Sequence, residues 1–542
     1  MRLSSTAKVF SWLHWKSGAD ALFLIPTGHH GREGTLIIDW RKVVCPAVVL
    51  GAVTFLIHLA FNGGYGISRD ELYFIVCGQR LAWGYVDQPP LVPLIAAWSY
   101  ALAGDWLTGF RLVPALTMAI TVGLTADFAR LIGGGRFAQI LAGLCALAAP
   151  VFLADGLFVS TDMFQPLTWL GVAWCLVRLA QTNDQRWWIA LGLVVAFSLW
   201  SKYAIVFFVA ALAVGAVFTP LRKSLTKPWV YAAAVLVAVL VLPNILWQQN
   251  HGWPFLELGS AGVHGKNRVL PVGAFFGQQL LLMGPTLALV WIAGLWKFAV
   301  KPAHAAYRVF PIAFVLLAAF FIVEHGKATY MMAIYPMLFA SGAVFWESVL
   351  EPLWARGIAL FLAASMGVML APLVLPVLSE EGYIAYAEAI GISPKATAGE
   401  NLKLARLPQH FADMHGWPQM AAKVAAVYHA LPPADRAKAV FFGTNYGEAA
   451  AIDVYGRKLG LPPAIGGHNN YWIWGPRGAD GSVIIEIGGT REDHLQDFRS
   501  VEKAGELDDP YAMPYETHQP IWVERGLKLP LKQVWPKVKR FG

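Results

Sequence analysis

Charged residues are scarce in this chain, and so are cysteines. Only 14% of the 542 residues are Asp, Glu, Lys or Arg, roughly half the share of a soluble globular protein, which is about 25%. Hydrophobic residues make up 57% of the chain and its mean hydropathy is +0.51. The composition therefore predicts a polytopic membrane protein. The four cysteines, at 45, 77, 145 and 175, have no CxxC spacing, so neither a disulfide framework nor a zinc motif is expected.

The positive charge of the chain does not indicate a nucleic-acid partner. Its formal net charge is +8, but no basic cluster is interleaved with exposed aromatic residues. We interpret the Lys and Arg residues as topology signals in the loops. Residues 1–41 lack the basic, apolar and small-residue succession of a signal peptide, and we predict that they form a cytoplasmic tail.

Residues 42–376 are predicted to form the transmembrane domain. A helix needs about 20 apolar residues to cross the hydrocarbon core, and about eleven runs approach that length. The runs 186–201 and 203–220 are each short, because Ser201 and Lys202 interrupt one long apolar stretch. The predicted spans are 42–61, 108–132, 136–154, 163–181, 186–201, 203–220, 229–247, 272–298, 307–324, 328–347 and 353–376.

The loop charges predict the orientation. With a cytoplasmic N-terminus, the inside connections carry thirteen Lys and Arg residues and the outside connections seven, in agreement with the positive-inside rule. An odd number of spans then places residues 377–542 outside the membrane. The loop 62–107 and the turn 155–162 fall on the same outer face, so acidic and basic side chains are predicted to gather there.

Residues 377–542 are predicted to form a small extracytoplasmic α/β domain, because the density of charged residues rises there. Strands are predicted at Lys438–Phe442, Ser482–Ile487 and Ile521–Val523, and a helix at Tyr446–Lys458. The glycine-rich turn before that helix is neither GxGxxG nor a P-loop. Nucleotide binding is therefore not expected.

Four acidic residues of the outer face are candidates for chemistry. Asp70 and Glu71 are adjacent, Asp87 precedes a rigid Gln-Pro-Pro turn, and Asp162 opens the fourth span. Each also has a structural interpretation: a solvated Arg-Glu pair for the first two, and helix caps for the others. Their position on one face favours a site with a catalytic carboxylate.

Two lysines complete the candidate site. Lys202 interrupts an apolar stretch, where an isolated charge is costly and usually functional or paired. Lys327 has Tyr330 within one turn. Snorkelling to the interface is the alternative interpretation for both lysines. Either amine suits the phosphate of a lipid.

Six short motifs in order resemble one known family. They are SRDELYF, YVDQPPL, STDMFQPLTWL, LWSKYAIVFF, PNILWQQNHGWPF and KATYMMAIYP, spread over about residues 42–350. As a set they resemble the bacterial branch of the protein O-mannosyltransferase and aminoarabinose transferase superfamily. These are GT-C glycosyltransferases of family 39 or closely similar.

The resemblance implies transfer of a sugar from a polyprenyl phosphate to an envelope acceptor at the outer face of the cytoplasmic membrane. It implies that Asp70 is the catalytic carboxylate and that Glu71, Asp87 and Asp162 are acidic substrate-binding positions. Lys202, Lys327 and Tyr330 match positions near the donor phosphate. The expected reaction inverts the anomeric carbon, with Asp70 as general base.

One residue departs from the family pattern. The aminoarabinose transferases have lysine after the second acid, where this chain has Gln88. An aminoarabinose donor and a lipid A phosphate acceptor are therefore not carried over, and the envelope acceptor stays open among lipid, glycan and protein.

Two other functional classes fit parts of the pattern. Many spans with intramembrane charges also suit a transporter or flippase of a lipid-linked substrate, but no inverted repeat is evident. A scaffold that binds an envelope polymer through residues 377–542 is the third. Three outer-face carboxylates could hold Mg²⁺ or Ca²⁺, yet their spacing is too loose to predict a metal, and no cofactor is expected.

Overall fold

The computed structural model describes residues 45–261, 268–392, 403 and 405–542, and residues 45–542 form one compact unit. The predicted cytoplasmic tail, 1–41, lies outside the described residues. Within the compact unit, an apolar helical part precedes a mixed α/β part. The described cysteines are all free thiols.

Helices form at every run that was predicted to span the membrane, although several are interrupted. The helices of the apolar part are α1 Pro46–Phe61, α2 Arg69–Gln79, α3 Leu91–Ala103, α4 Leu107–Phe110, α5 Leu112–Leu131, α6 Arg136–Ala148, α7 Pro150–Asp155, α8 Gln165–Thr182, α9 Trp187–Ser201, α10 Ile205–Val217, α11 Arg222–Leu225, α12 Pro228–Asn250, α13 Pro254–Ala261, α14 Val272–Met283, α15 Ala288–Val300, α16 Val309–Val323, α17 Tyr335–Val349 and α18 Leu353–Leu370. The 3₁₀ helices there are Pro285–Leu287, Ala305–Arg308, Ala328–Ile334 and Ala371–Leu373.

Five helical stretches of the described chain are long and apolar enough to cross a membrane, and a bent pair would make a sixth. The five are Leu112–Leu131, Pro228–Asn250, Ala305–Val323, Ala328–Val349 and Leu353–Leu373. The bent pair, Val272–Met283 and Pro285–Val300, turns by 102°. The chain is thus a multi-pass membrane protein. The count of eleven spans stays a prediction, because helices such as α1 and α9 are shorter than a full crossing.

Proline explains one of the interruptions. The predicted span 136–154 breaks into α6 and α7, with Ala149 in an extended conformation before Pro150. Proline lacks the N–H that would continue the helix, and its ring disfavours the helical conformation of the preceding residue. The break places Asp155 and the following turn close to the candidate site.

Glycine allows α15 and α17 to pack in close contact. A Cβ atom at Gly294 would clash with the carbonyl oxygen of Leu338, and one at Gly342 with the carbonyl oxygen of Val290. Small residues at such crossings let helix backbones approach each other in membrane proteins. This crossing joins two helices of the C-terminal half of the apolar part.

Replacement of Gly342 by Ala should therefore lower stability. The added methyl group meets backbone atoms, which cannot rotate away, so we expect a loss of about 1–3 kcal/mol in the free energy of unfolding. The measurement is the thermal midpoint of the detergent-solubilised protein. Gly357→Ala is the matched control, because a Cβ there meets nothing within 4 Å. Equal midpoints for the two variants would contradict the tight crossing.

The α/β part contains a five-stranded sheet of order β2-β1-β3-β5-β4. Strand β1 is parallel to β2 and β3, whereas β5 is antiparallel to β3 and β4. The strands are β1 Ala439–Gly443, β2 Ile465–Gly466, β3 Val483–Ile487, β4 Phe498–Leu507 and β5 Gln519–Leu527. The helices are α19 Glu380–Ala389, α20 Gln409–Ala412, α21 Trp417–Ala430, α22 Pro433–Arg436, α23 Tyr446–Val454, α24 Asn470–Trp474, α25 Arg491–Asp497 and α26 Leu531–Val534, with 3₁₀ helices at Gly456–Leu459 and Trp535–Val538.

The two faces of the sheet have separate cores. One face, with Val483 and Ile485 of β3, shares a core with α21, α23 and the loop helix α2. The other face, with Ile484 and Trp522, packs against residues that follow or flank the sheet, such as Trp535. The strands predicted at 438–442, 482–487 and 521–523 correspond to β1, β3 and β5. Because α2 shares a core with α21 and α23, the loop 62–107 and the α/β part must lie on the same side of a membrane.

Candidate active site

Helix α2 is anchored by a buried ion pair. The Glu71 carboxylate accepts hydrogen bonds from Arg111 Nε at 2.9 Å and Arg111 Nη2 at 2.6 Å, and both side chains have no exposed surface. The same carboxylate accepts from the backbone N–H groups of Ser68 and Val159, at 2.9 and 3.0 Å. The Ser68 hydroxyl accepts in turn from Glu71 N, which completes a capping box.

This arrangement changes the interpretation of Glu71, which the sequence placed among substrate-binding residues. Its two oxygens already accept four hydrogen bonds inside the protein. Contact with a substrate would require the buried pair with Arg111 to open, which is costly. Glu71 therefore acts as an anchor that fixes the start of α2.

Asp70 is accessible. Its side chain is 57% exposed, and one oxygen, Oδ1, accepts a hydrogen bond of 2.7 Å from the Tyr446 hydroxyl. The guanidinium of Arg69 approaches the same oxygen at 3.8 Å. Arg69 is itself held by the Tyr515 hydroxyl at 2.7 Å and by the Asp413 carboxylate at 3.6 Å. The site thus presents a carboxylate that is oriented on one oxygen by residues of the α/β part.

Asp87 is linked to Asp70 by contacts that run through two tyrosines, Tyr73 and Tyr446. The Tyr73 hydroxyl, one turn after Asp70 on α2, donates to Asp87 Oδ1 at 3.1 Å. The ring of Tyr73 packs on that of Tyr446 with centroids 4.8 Å apart, and Asn469 Nδ2 is 3.5 Å from Asp87 Oδ2. The structure therefore brings these two predicted carboxylates into one polar cluster.

Lys202, Asp162 and Tyr330 form a second cluster. Lys202 Nζ donates to both Asp162 oxygens, at 2.6 and 2.7 Å, and lies 5.4 Å from the centre of the Tyr330 ring. Lys327 immediately precedes the 3₁₀ helix that carries Tyr330, whose N–H donates to the Lys327 carbonyl at 3.0 Å. The side chains of Asp162 and Lys202 are 36% and 24% exposed, so the paired charges remain accessible.

Helix α12 connects the two clusters. Asn244 accepts from the Tyr203 hydroxyl at 2.7 Å and donates to the Trp83 carbonyl at 2.7 Å. Gln248 donates to the Tyr85 carbonyl at 3.0 Å. These bonds join the residue after Lys202 to the segment that leads into Asp87. The amides belong to the PNILWQQN motif, and they show why that polar motif ends an apolar helix.

Sequence reasoning missed the residues that hold Tyr446. Glu448 accepts from the Thr444 N–H at 2.8 Å and from Asn445 Nδ2 at 3.0 Å, and Asn445 also donates to Glu516 at 2.8 Å. Burial raises the pKa of Glu448 to about 7, and burial with the nearby Glu448 charge raises the pKa of Glu516 well above its ordinary value. The signal was the GTNYGE sequence after β1, where the glycine-rich turn was used only to argue against nucleotide binding.

Part of this chain matches a known family and two curated relatives in sequence. Residues 87–247 match the family described as dolichyl-phosphate-mannose-protein mannosyltransferase. The chain is 24% identical over 257 residues to the lipid A galacturonosyltransferase RgtD of Rhizobium johnstonii, covering 46% of this chain and 52% of that protein. It is 30% identical over 104 residues to the polyprenol-phosphate-mannose–protein mannosyltransferase of Corynebacterium glutamicum, covering 19% of this chain and 20% of that protein. The chain thus spans about half or less of the curated relatives it matches.

The fold has a solved counterpart. ArnT from Cupriavidus metallidurans, crystallised with undecaprenyl phosphate, superposes with a TM-score of 0.60 at 14% identity, over 90% of this chain and 98% of that one. At this identity the likeness concerns the fold alone. Together with the matches in sequence, it confirms the resemblance of this chain to the GT-C superfamily of membrane glycosyltransferases.

Proposed function

We propose that this protein is an inverting glycosyltransferase that moves a sugar from a polyprenyl phosphate to an envelope acceptor. The observation that carries the proposal is that two polar clusters are joined by the hydrogen bonds of helix α12. One cluster offers an accessible carboxylate, Asp70, and the other offers amines, Lys202 with Lys327 nearby. A carboxylate and a cation are the groups that displacement of a phosphate by a hydroxyl requires.

The amines serve the donor. Lys202 is held by Asp162 and by the face of Tyr330, so its charge has a defined position at the end of α9. As the bond between the anomeric carbon and the phosphate oxygen breaks, negative charge grows on the leaving phosphate. A fixed ammonium group stabilises that charge more in the transition state than before it. Lys327 contributes a second positive charge to this side of the site.

Asp70 serves the acceptor. If the acceptor is a hydroxyl, its oxygen attacks the anomeric carbon on the face opposite the phosphate, and its proton passes to the Asp70 carboxylate. A new C–O bond forms as the C–O bond to phosphate breaks, so the configuration inverts. If the acceptor is itself a phosphate, no proton is removed and Asp70 only orients it. Asp87, held by Tyr73, is assigned to the sugar hydroxyls.

The topology belongs to the same proposal. We place the protein in a bacterial inner membrane with about eleven spans, a cytoplasmic N-terminus and residues 377–542 on the periplasmic side. The core that α2 shares with α21 and α23 supports one side for both the loop 62–107 and the α/β part. The excess of Lys and Arg in the opposite loops supports the outer face for that side.

The test is release of free polyprenyl phosphate from a panel of polyprenyl-phosphate sugars by the membrane-embedded protein. Wild type should release it with one donor class. Lys202→Met should lower kcat/KM about 10- to 100-fold, since a charge-assisted contact to the phosphate is lost. Lys458→Met is the matched control: Lys458 also pairs with an aspartate, Asp105 at 2.9 Å, but is 55% exposed on the α/β part.

The outcomes separate the candidate functions. Full turnover by Lys202→Met would remove the phosphate role. No release from any donor, together with movement of a lipid-linked substrate across vesicles, would favour the transporter or flippase. Loss of turnover in the Lys458 control would show that the charges act on folding rather than on chemistry.

A further inference from the structure

A second group of ionisable side chains lies in the sheet of the α/β part, separate from the candidate active site. It consists of Glu486 on β3, Glu524 on β5 and His494 on α25. One ligand atom of each residue lies within 4.8 Å of the other two. Glu486 and Glu524 lie diagonally on neighbouring antiparallel strands, since Glu486 pairs with Trp522 and Ile484 pairs with Glu524. Their side chains therefore share one face of the sheet.

The surroundings of this group are apolar. The same face carries Ile484 and Trp522 and packs against Leu531 and Trp535. The Glu524 side chain has no exposed surface. Its contact is ionic, with His494 Nδ1 at 2.6 Å from Oε1. Two carboxylates close together in apolar surroundings are costly, even when one of them is paired with a histidine.

The histidine is oriented as a metal ligand would be. Its Nε2 lies 3.0 Å from the Gly488 carbonyl oxygen, which can only accept, so Nε2 carries a hydrogen and donates it. Nδ1 faces Glu524 Oε1 at 2.6 Å, so without an ion it carries a hydrogen toward that oxygen, and a metal ion would take the place of this hydrogen. A backbone carbonyl that fixes the tautomer of a ligating imidazole is a recurrent feature of metal sites.

The loop before α25 is shaped around the imidazole. Gly489 has φ of +69°, and a Cβ there would press against His494 Nε2. Thr490 caps the helix by accepting from the Asp493 N–H. In the sequence EIGGTREDH, Glu486 lies at the end of β3, and the glycine turn that follows brings His494 back close to it. The His494 side chain is 11% exposed, which leaves the group reachable from solvent.

We propose that Glu486, His494 and Glu524 bind one divalent transition-metal ion of the Zn²⁺ class. Two carboxylate oxygens and one imidazole nitrogen suit Zn²⁺, whereas Ca²⁺ and Mg²⁺ prefer oxygen ligands alone. Bond lengths of about 2.1 Å separate tetrahedral ligand atoms by about 3.4 Å. The ion would replace the close N–O contact with three metal bonds and leave a fourth position for water. It would fasten α25 to β3 and β5, away from Asp70 and Lys202.

The experiment uses the full-length, tag-free protein in detergent, stripped with a chelator and titrated with ZnCl₂. Wild type should bind one more equivalent of Zn²⁺ than His494→Ala or Glu486→Gln, and its thermal midpoint should rise by about 2–4 °C at saturating metal. Each variant should weaken this binding at least about 100-fold. Matched MgCl₂ and CaCl₂ titrations should leave the midpoint unchanged.

A matched control and two outcomes decide the proposal. His518→Ala removes a histidine that also contacts a carboxylate, Asp508 at 3.3 Å, but is 73% exposed, and it should bind Zn²⁺ as wild type does. Both test variants alter partly accessible side chains, so a folded protein is expected and size-exclusion chromatography verifies it. Equal Zn²⁺ content in wild type, His494→Ala and Glu486→Gln would overturn the proposal, as would a wild type that binds no Zn²⁺.

Discussion

Replacement of Asp70 by Asn should lower kcat by about 10²- to 10⁴-fold for a hydroxyl acceptor, which is the range that a general base contributes. The amide cannot take the proton of the acceptor. Its carbonyl oxygen can still accept the hydrogen bond from Tyr446, so the local geometry should persist. The measurement is the single-turnover rate of polyprenyl phosphate release, with the donor class that wild type uses.

Asp105→Asn provides the control for this prediction. Asp105 lies on the same loop and pairs with Lys458, but its side chain is 77% exposed, so its replacement should leave kcat unchanged. Thermal midpoints of both variants should equal that of wild type. Full turnover by Asp70→Asn would leave Asp70 an orienting role only, and would favour an acceptor that needs no base, such as a phosphate.

The apolar pattern predicted the helices but not their interruptions. Every predicted run is helical, because a helix satisfies the backbone hydrogen bonds of an apolar segment within that segment. The bend of 102° after Met283 and the break before Pro150 divide runs that are continuous in hydropathy. Conversely, α3 lies inside the predicted loop 62–107, because its 13 residues are too few to suggest a span. The points at which helices begin, bend and end therefore depend on tertiary packing as well as on hydropathy.

The site shows which contacts a local sequence pattern can predict and which it cannot. The capping box of Ser68 and Glu71 is visible as S-x-x-E, a pattern that already ties Glu71 to the helix start. The partner that makes Glu71 an anchor, Arg111, is 40 residues away. The same separation, 40 residues, divides Asp162 from Lys202. A local sequence pattern can identify a charged residue as unusual, but it cannot predict which distant residue that charge pairs with, because the pairing depends on tertiary contacts.

The largest omission concerns the α/β part. Its Tyr446 donates to Asp70 across 376 positions of sequence, and α23 packs on α2 in one core. No local pattern predicts such a contact, because the residues involved look like an ordinary helix start. Residues 377–542 were predicted as a small α/β domain, and no candidate site residue was placed among them. They supply side chains that orient the candidate catalytic carboxylate.

Removal of either partner of the Glu71–Arg111 pair should be strongly destabilising. Glu71→Met leaves the Arg111 guanidinium buried without its counter-charge, and Arg111→Met does the same to the carboxylate. Breaking a buried pair in this way costs about 3–5 kcal/mol. The detergent-solubilised variants should therefore show lower thermal midpoints than wild type. They should also lose turnover, because the Ser68 cap and the Val159 contact that fix α2 depend on the same carboxylate.

The double variant Glu71→Met with Arg111→Met distinguishes an ion pair from two independent effects. With both charges removed, no buried charge is left uncompensated, so the double variant should be more stable than either single variant. Additive losses would show that the two residues act separately. If the double variant regains stability while turnover stays low, the pair serves to orient α2 and Asp70 rather than merely to hold the loop together. If both stability and turnover recover, the position of Asp70 does not depend on the charged pair, because the packing of two methionines is then sufficient to hold α2.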